Sequence, residues 1–424
     1  MLAISFSSLF LTVLLVQLSS GGLGPLDALS GSKLGFATSE IGVLGSAHFL
    51  GFFLGCWWAP RLIGLIGHSR AFSVFAAAGT VGTAAHMLLP DPWVWAALRV
   101  LSGLCVAGCY TVVEGWLHAK VSNATRGRSL GIYRVVDMVG GLTAQLMIGI
   151  LEPAVYASYN ILAMLCCASL LPLALTRLPQ PATAGTLRLH PMMAPRISPM
   201  ATAGVIVAGL TSACIRMVGP VFGERIGLAP EQIGIFLAVF ILGGAVAQIP
   251  VGWLADRYDR RHVMVWLSLA AMGSTMLVLT MAARGPAAIF VNSFLVGATT
   301  FPIYSVAAAH ANDFAERTRT VELNSSLLFH YAIGAIVSPV IGALLIDDFG
   351  PTAMFAFIGA IHAGLGIIGV SRMLVRPSPT TRTAYVYMPR TSFLIGRLFR
   401  RHRRTDRKPS VGSSAGGEDT RIPG

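Results

Sequence analysis

Twelve apolar runs follow one another along the chain, at 1–19, 40–60, 71–89, 93–116, 130–150, 156–176, 199–222, 231–254, 262–283, 286–310, 322–346 and 351–374. Most reach the ~18–20 residues that a helix needs to cross the hydrocarbon core of a bilayer. They are continuously apolar and not alternating, which reads as spanning helices and not as barrel strands. Only 12% of the residues are charged and the mean hydropathy is +0.69, against about 25% charged residues in a soluble domain. The expectation is an all-α integral membrane protein. The run at 1–19 lacks the basic start and small-x-small cleavage site of a signal peptide, so it reads as a first anchor. Its abrupt start suggests that a few residues precede it.

The basic residues assign sides. Loops on the side of residues 252–261, with the tail after Ser371, carry 25 Lys and Arg, whereas the opposite side carries only Lys33, Arg225 and Arg284. Lys- and Arg-rich short loops stay cytoplasmic, so both termini are expected to point into the cell from a multi-pass plasma (inner) membrane position.

The runs also repeat. Residues 250–261 (PVGWLADRYDRR) form a short, densely charged turn between two apolar runs, and residues 55–70 occupy the same place about 195 residues earlier. Residues 110–120 (YTVVEGWLHAK) and 304–314 (YSVAAAHANDF) close the fourth and tenth runs at an offset of 194. The longest loop on the basic side separates the repeats. This predicts an N-terminal six-helix bundle at 1–176, a cytoplasmic loop at 177–198, a C-terminal six-helix bundle at 199–374, and a basic tail at 375–424. Parallel halves of this kind enclose a site near the bilayer midplane and expose it alternately to the two sides. The tail segment 397–408 (RLFRRHRRTDRK) reads as a disordered tail or as a contact with anionic lipid through Phe393, Leu394, Ile395, Leu398 and Phe399. Nucleic acid is not an expected partner.

Residues 252–261 resemble the signature loop of the major facilitator superfamily, Gly-x-Leu-Ala-Asp-Arg-x-x-Arg-Arg, and Arg99-x-x-x-Gly103 is similar to a second motif of that superfamily. Glu114-x-Trp116-Leu117, residues 309–313 (AHAND) and residues 385–392 (YVYMPRTS) look like a bacterial branch of largely unassigned permeases. The resemblance implies the major facilitator fold, twelve transmembrane helices in two pseudo-symmetric six-helix bundles, acting as a monomeric secondary transporter. Three features depart from it. Pro60 stands where the loop pattern favours Asp, the fifth run lacks the Gly-Pro-x-x-Gly-Gly of drug–proton antiporters, and no acidic residue lies within 1–19.

An ionisable residue inside a span costs roughly 2.5–3.5 kcal/mol at its centre on insertion scales, so each needs a reason. Arg99 lies ~9 Å inside the fourth span at 1.5 Å per residue; it either faces the cavity or snorkels outward. Glu114 sits ~22 Å further along the same helix. Arg134 and Asp137 share a face of the fifth span, so Glu114, Arg134 and Asp137 form an inner gate or a static ion-pair cluster. Arg216 snorkels or touches substrate. His310 beside Asp313 relays protons or serves as a structural hydrogen-bonder. Gln145 and Gln248, each after a Gly-Gly pair, bind substrate or join helices. Asp256 with Arg257, Arg260 and Arg261 reads as a gate latch and not a substrate site. The six cysteines read as small buried apolar residues. No Walker A pattern, nucleophile–base pair, metal cluster or cofactor fingerprint is present, which excludes an enzyme or an ATP-driven pump. The expectation is a proton-linked secondary transporter of a small amphipathic or anionic solute, with export favoured. The alternatives are a metabolite uniporter or importer, and a non-transporting membrane sensor or scaffold.

Overall fold

The computed structural model describes residues 6–120, 126–175, 190–281, 284–316 and 319–375. The tail and its expected lipid contact therefore lie outside the described residues. Twelve helices run back and forth: α1 Ser7–Lys33, α2 Thr38–Ile66, α3 His68–Ala85, α4 Pro92–Lys120, α5 Arg126–Leu146, α6 Tyr156–Ala174, α7 Pro199–Arg225, α8 Pro230–Arg257, α9 Arg260–Met281, α10 Pro286–Asp313, α11 Thr320–Phe349 and α12 Ala353–Val375. α1 starts and α12 ends on one side of the molecule, here called the terminal face; the opposite side is the distal face.

Eleven of these helices are long and apolar enough to cross a membrane on composition alone. The twelfth is α5, which carries Arg134 and Asp137 along its 21 residues. At 1.5 Å per residue it still spans ~30 Å, and it is sheltered between α1 and α8. The sequence reading ended the first span at residue 19. The helix instead continues to Lys33 through Gly21, Gly22, Gly24, Pro25 and Gly31, residues that in water would mark a turn. Every residue from Gly21 to Gly31 is buried, so packing against neighbours overrides local propensity.

The two bundles are built alike. Asp91 caps α4, accepting from the backbone N–H groups of Trp93 and Val94 at 2.9 and 3.0 Å, with Pro92 in the first turn where its missing N–H costs nothing. α2 and α8 begin with the same device: Glu40 accepts from the Ala37 N–H at 2.8 Å, and Gln232 accepts from the Ala229 N–H at 3.0 Å. α2 crosses α4 with Gly51 against the Val100 carbonyl and Gly103 against the His48 carbonyl, so close that neither glycine has room for a Cβ. α8 crosses α10 in the same way, Gly243 against Phe294 and Gly297 against Phe240. These positions differ by 192 in the α2/α8 pair and by 194 in the α4/α10 pair, so the repeat read from sequence is a repeat of backbone contacts.

The bundles meet along α2–α11, α5–α8 and α1–α7. On the distal side a Cβ at Gly42 would lie 2.7 Å from Ala343 Cβ and 2.8 Å from the Pro339 carbonyl, and one at Gly234 would lie 2.6 Å from the Gln145 carbonyl. Arg225 of α7 spans the seam, donating to Thr38 Oγ1 at 3.0 Å while pairing with Asp347 at 3.2 Å. The α2–α11 contact reaches Phe53 and Phe329, edge to face at 5.5 Å. Beyond it, toward the terminal face, Leu65, Val135, Ile249 and Trp253 of the same helices are more than half exposed. The backbone-close contacts between the bundles lie toward the distal face.

Gly51→Ala and Gly243→Ala are expected to cut the yield of monodisperse protein in detergent sharply, since backbone must move to admit the methyl group. Gly64→Ala and Gly273→Ala, in the same kinds of helix but with nothing near the added atom, should raise stability by up to about 1 kcal/mol. Size-exclusion recovery and thermal midpoints compare the four.

Candidate functional site

The charged turn after α8 is not a solvated loop. Arg260 is 1% exposed and joins three helices. It donates to Asp313 at 2.6 Å and to the Ala309 carbonyl at 3.0 Å, both in α10, and to the Ala255 carbonyl of α8 at 3.2 Å. Asp256 lies 3.4 Å from the same guanidinium, with its side chain half exposed. Arg261 pairs with Asp259 at 2.7 Å, and Arg257 lies over the Trp253 ring at 5.4 Å. The four residues grouped from sequence thus divide into a buried joint (Arg260) and three peripheral contacts. His310 is buried near the same charges, but its ring stands edge-on to Phe314 at 5.2 Å, and Asp313 is taken by Arg260.

Glu114, Arg134 and Asp137 do come together. Arg134 lies 3.6 Å from Glu114 and 3.7 Å from Asp137. Tyr133 donates to Glu114 at 2.8 Å, and Tyr110 donates to Asp137 at 3.0 Å and to the Gln17 side chain. All of these belong to the N-terminal bundle, so the pairing joins α1, α4 and α5 within one half. Gln145 donates to the Gly21 carbonyl at 3.1 Å and ties α5 to α1. Gln248 is half-buried on α8, two residues before Pro250.

The largest departure concerns Arg99. It does not snorkel: it is 1% exposed, its Nε is 3.5 Å from Oδ2 of Asp27, and it lines a small cavity with His48 and Ser102. Asp27 lies in the part of α1 that the sequence reading assigned to a loop, so the statement that the first span holds no acidic residue is corrected. The same Oδ2 is 3.5 Å from His86 Nε2, and Tyr159 donates to Oδ1 at 3.0 Å. His86 is stacked on Tyr159 and tilted against Trp95. His86 Nδ1 is 2.8 Å from the Gly82 carbonyl. A carbonyl only accepts, so Nδ1 carries a proton, and Nε2 then faces a carboxylate oxygen. Helices α1, α4 and α6 and the turn that follows α3 supply one residue each. An Asp between Leu26 and Ala28, two residues after Gly-Gly-Leu-Gly-Pro, was the available signal in the sequence.

A family model described as Major Facilitator Superfamily matches residues 201–405. An uncharacterized MFS-type transporter of Enterobacter sp. (strain 638) is 29% identical over 354 residues, covering 82% of this chain and 91% of that protein. The uncharacterized MFS-type transporter YcaD of Salmonella arizonae is 28% identical over 355 residues with the same coverage. Among solved structures, the nucleoside transporter NupG superposes with a TM-score of 0.70 at 13% identity, over 87% of this chain and 98% of that one. The D-xylose-proton symporter superposes at 0.66 and 11% identity, over 89% and 100%. The chain resembles the transporters of the major facilitator superfamily and shares their fold. It is a multi-pass membrane transporter with the two-bundle fold of that superfamily.

In this chain the glycine crossings obey the repeat but the charges do not. At the offset of 192, Asp27 corresponds to Gly219; at 194, Arg99 corresponds to Ser293 and Asp313 to Ala119. The N-terminal bundle therefore carries the buried cluster near the distal face, and the C-terminal bundle the buried ion pair near the terminal face. Replacing Asp313 by Ala leaves the buried Arg260 with the half-exposed Asp256 at 3.4 Å, which should cost up to about 3–5 kcal/mol. Asp256→Ala removes a half-exposed partner and should cost less than about 1 kcal/mol. Thermal midpoints in detergent should show the first variant far below wild type and the second close to it.

Proposed function

We propose that the chain is a proton-linked secondary transporter of a small amphipathic or anionic solute, working by alternating access. The observation that carries this reading is the buried carboxylate of Asp27, within 3.5 Å of both His86 and Arg99. When Asp27 is ionised it binds Arg99. When it takes up the proton, Arg99 loses its counter-charge and seeks another anion. A carboxylate that trades a proton against a buried arginine links protonation to whatever Arg99 and its neighbours touch, and does so within one bundle.

In this reading the terminal face is cytoplasmic, in keeping with the Lys and Arg excess on that side, and the conformation described is open to the cytoplasm. Asp256, with Arg257, Arg260 and Arg261, latches the terminal side when the cavity turns outward, and Glu114, Arg134 and Asp137 form the opposing part of that gate. The half-exposed Asp256 suits a latch that is released here, and its neighbour Arg260, held by Asp313, gives it a fixed anchor. A sensor or scaffold without transport has no use for a buried titratable pair at this depth.

The test is flux in proteoliposomes over a panel of solutes, with and without an imposed pH gradient. Asp27→Asn is expected to abolish the acceleration by the gradient, a loss of at least about tenfold for one removed proton-transfer group, while gradient-independent exchange persists. Gradient-driven flux that survives this change removes Asp27 from coupling. Asp256→Asn should slow flux in reconstituted vesicles, and unchanged flux removes the latch. The pH gradient that accelerates flux also gives its direction.

A further inference from the structure

The N-terminal bundle encloses a small cavity among α1, α2, α3, α4 and α6. Its polar lining is Ser19 and Ser20 of α1, His48 of α2, Thr83 of α3, and Arg99 and Ser102 of α4. The volume is about 20 Å³. One water molecule needs roughly 10–15 Å³, so the space admits water and is too small for a carried solute. Cavities that stay dry are apolar ones, and this one is not.

Arg99 brings an unmet donor to this space. Its Nε lies 3.5 Å from Asp27 and its Nη2 lies 3.6 Å from the Met217 sulfur. Nη1 has no hydrogen-bond partner among the described residues, although the side chain is 1% exposed. A buried donor on a charged group is costly to leave unmet. The same lining supplies acceptors. Ser102 donates its hydroxyl proton to the Arg99 carbonyl at 3.0 Å, so its oxygen is left to accept. His48 Nδ1 stands 3.5 Å from that oxygen, beyond the roughly 2.7–3.2 Å of a protein hydrogen bond. Groups at that spacing are joined by a water molecule that bonds to both.

We propose that this cavity is a water-binding site, and that the water in it joins Arg99 Nη1 to Ser102 and His48. This rests on the reading of Asp27 and Arg99 as the coupling site and extends that site onto α2. The consequence lies in where His48 stands. One turn before it, Gly45 packs on Met217 of α7 and Pro339 of α11, and one turn after it Gly51 meets the backbone of α4. The buried cluster therefore does not end at Arg99. It continues through water to α2, at the height where α2 touches two helices of the other bundle. A water molecule can turn with the donors around it, so Arg99 can shift against Asp27 without losing its link to His48.

Radiolytic footprinting of the full chain in detergent tests this without any flux measurement, so its result is independent of the Asp27 coupling experiment. X-ray pulses make hydroxyl radicals from water where it is bound, and a buried ring is oxidised when water lies against it. Phe75 lines the cavity and Phe72, one turn earlier on α3, does not; the two are 1% and 0% exposed. Phe75 is expected to be oxidised at least about tenfold faster than Phe72. Ser102→Ala and His48→Leu each remove a partner of the water and should lower the Phe75 rate by at least about threefold, with Phe72 unchanged. Equal rates at Phe75 and Phe72 in the wild type mean a dry cavity and overturn the proposal. A Phe75 rate that Ser102→Ala or His48→Leu does not lower overturns it too. Should His48→Leu fail to fold, Ser102→Ala and the wild-type comparison still decide.

Discussion

A charge inside a bundle that spans a membrane has no water to answer it, so every ionisable side chain kept there must be met by another group of the protein or by something it carries. The interior of this transporter is arranged around that demand. Arg260 meets it with a carboxylate and two backbone carbonyls from two different helices, and thereby fixes where α8, α9 and α10 converge. Arg99 meets it with Asp27, and Asp27 in turn with His86 and Tyr159. In the first case the partners are fixed and the charge has become structural. In the second the partner is itself shared, since Asp27 also faces His86 and Tyr159.

The backbone and the charges follow different symmetries. Close helix crossings at Gly51 and Gly103 are reproduced at Gly243 and Gly297, because both halves must solve the same packing problem: without a hydrophobic driving force in lipid, helices associate through small residues that let their backbones touch. Chemistry needs no such duplication. The buried cluster of the first half faces Gly219 and Ser293 at matching positions of the second, so one bundle can titrate while the other serves as a rigid counterpart. Rocking two similar bodies against each other requires the shared scaffold; coupling that motion to an ion requires the difference between them.

The parts of this arrangement legible in the sequence were those with a periodic or repeated signal. Continuous apolar runs, the duplicated hairpin and the crowding of Glu114, Arg134 and Asp137 all depend on spacing along one chain, and the fold follows from spacing. Asp27 escaped because Gly21, Gly22, Gly24 and Pro25 are turn residues by local propensity, and only burial on all sides makes them helical. The burial of Arg260 escaped for the converse reason: a run dense in Arg and Asp reads as solvated, and its partner Asp313 lies 53 residues away. Arg216 remained open between two readings because the sequence gives its depth in α7 but not the direction in which its side chain leaves the helix.

The same accounting bears on how the two faces exchange. The distal seam is held by backbone-close contacts at Gly42 and Gly234 and by one arginine bond across the bundles, Arg225 to Thr38. Such a seam is tight in shape but sparse in polar commitments, so opening it exposes few groups that water must then satisfy. An equilibrium between two arrangements can be biased by a ligand only as far as that ligand's affinities for them differ. A difference of a few kcal/mol suffices when the two are already close in free energy. Arg99, paired with Asp27, reaches the seam through Met217, which packs on α1 and α2. The buried cluster therefore bears on the place where α7 meets the N-terminal bundle, the contact that rocking must break and remake.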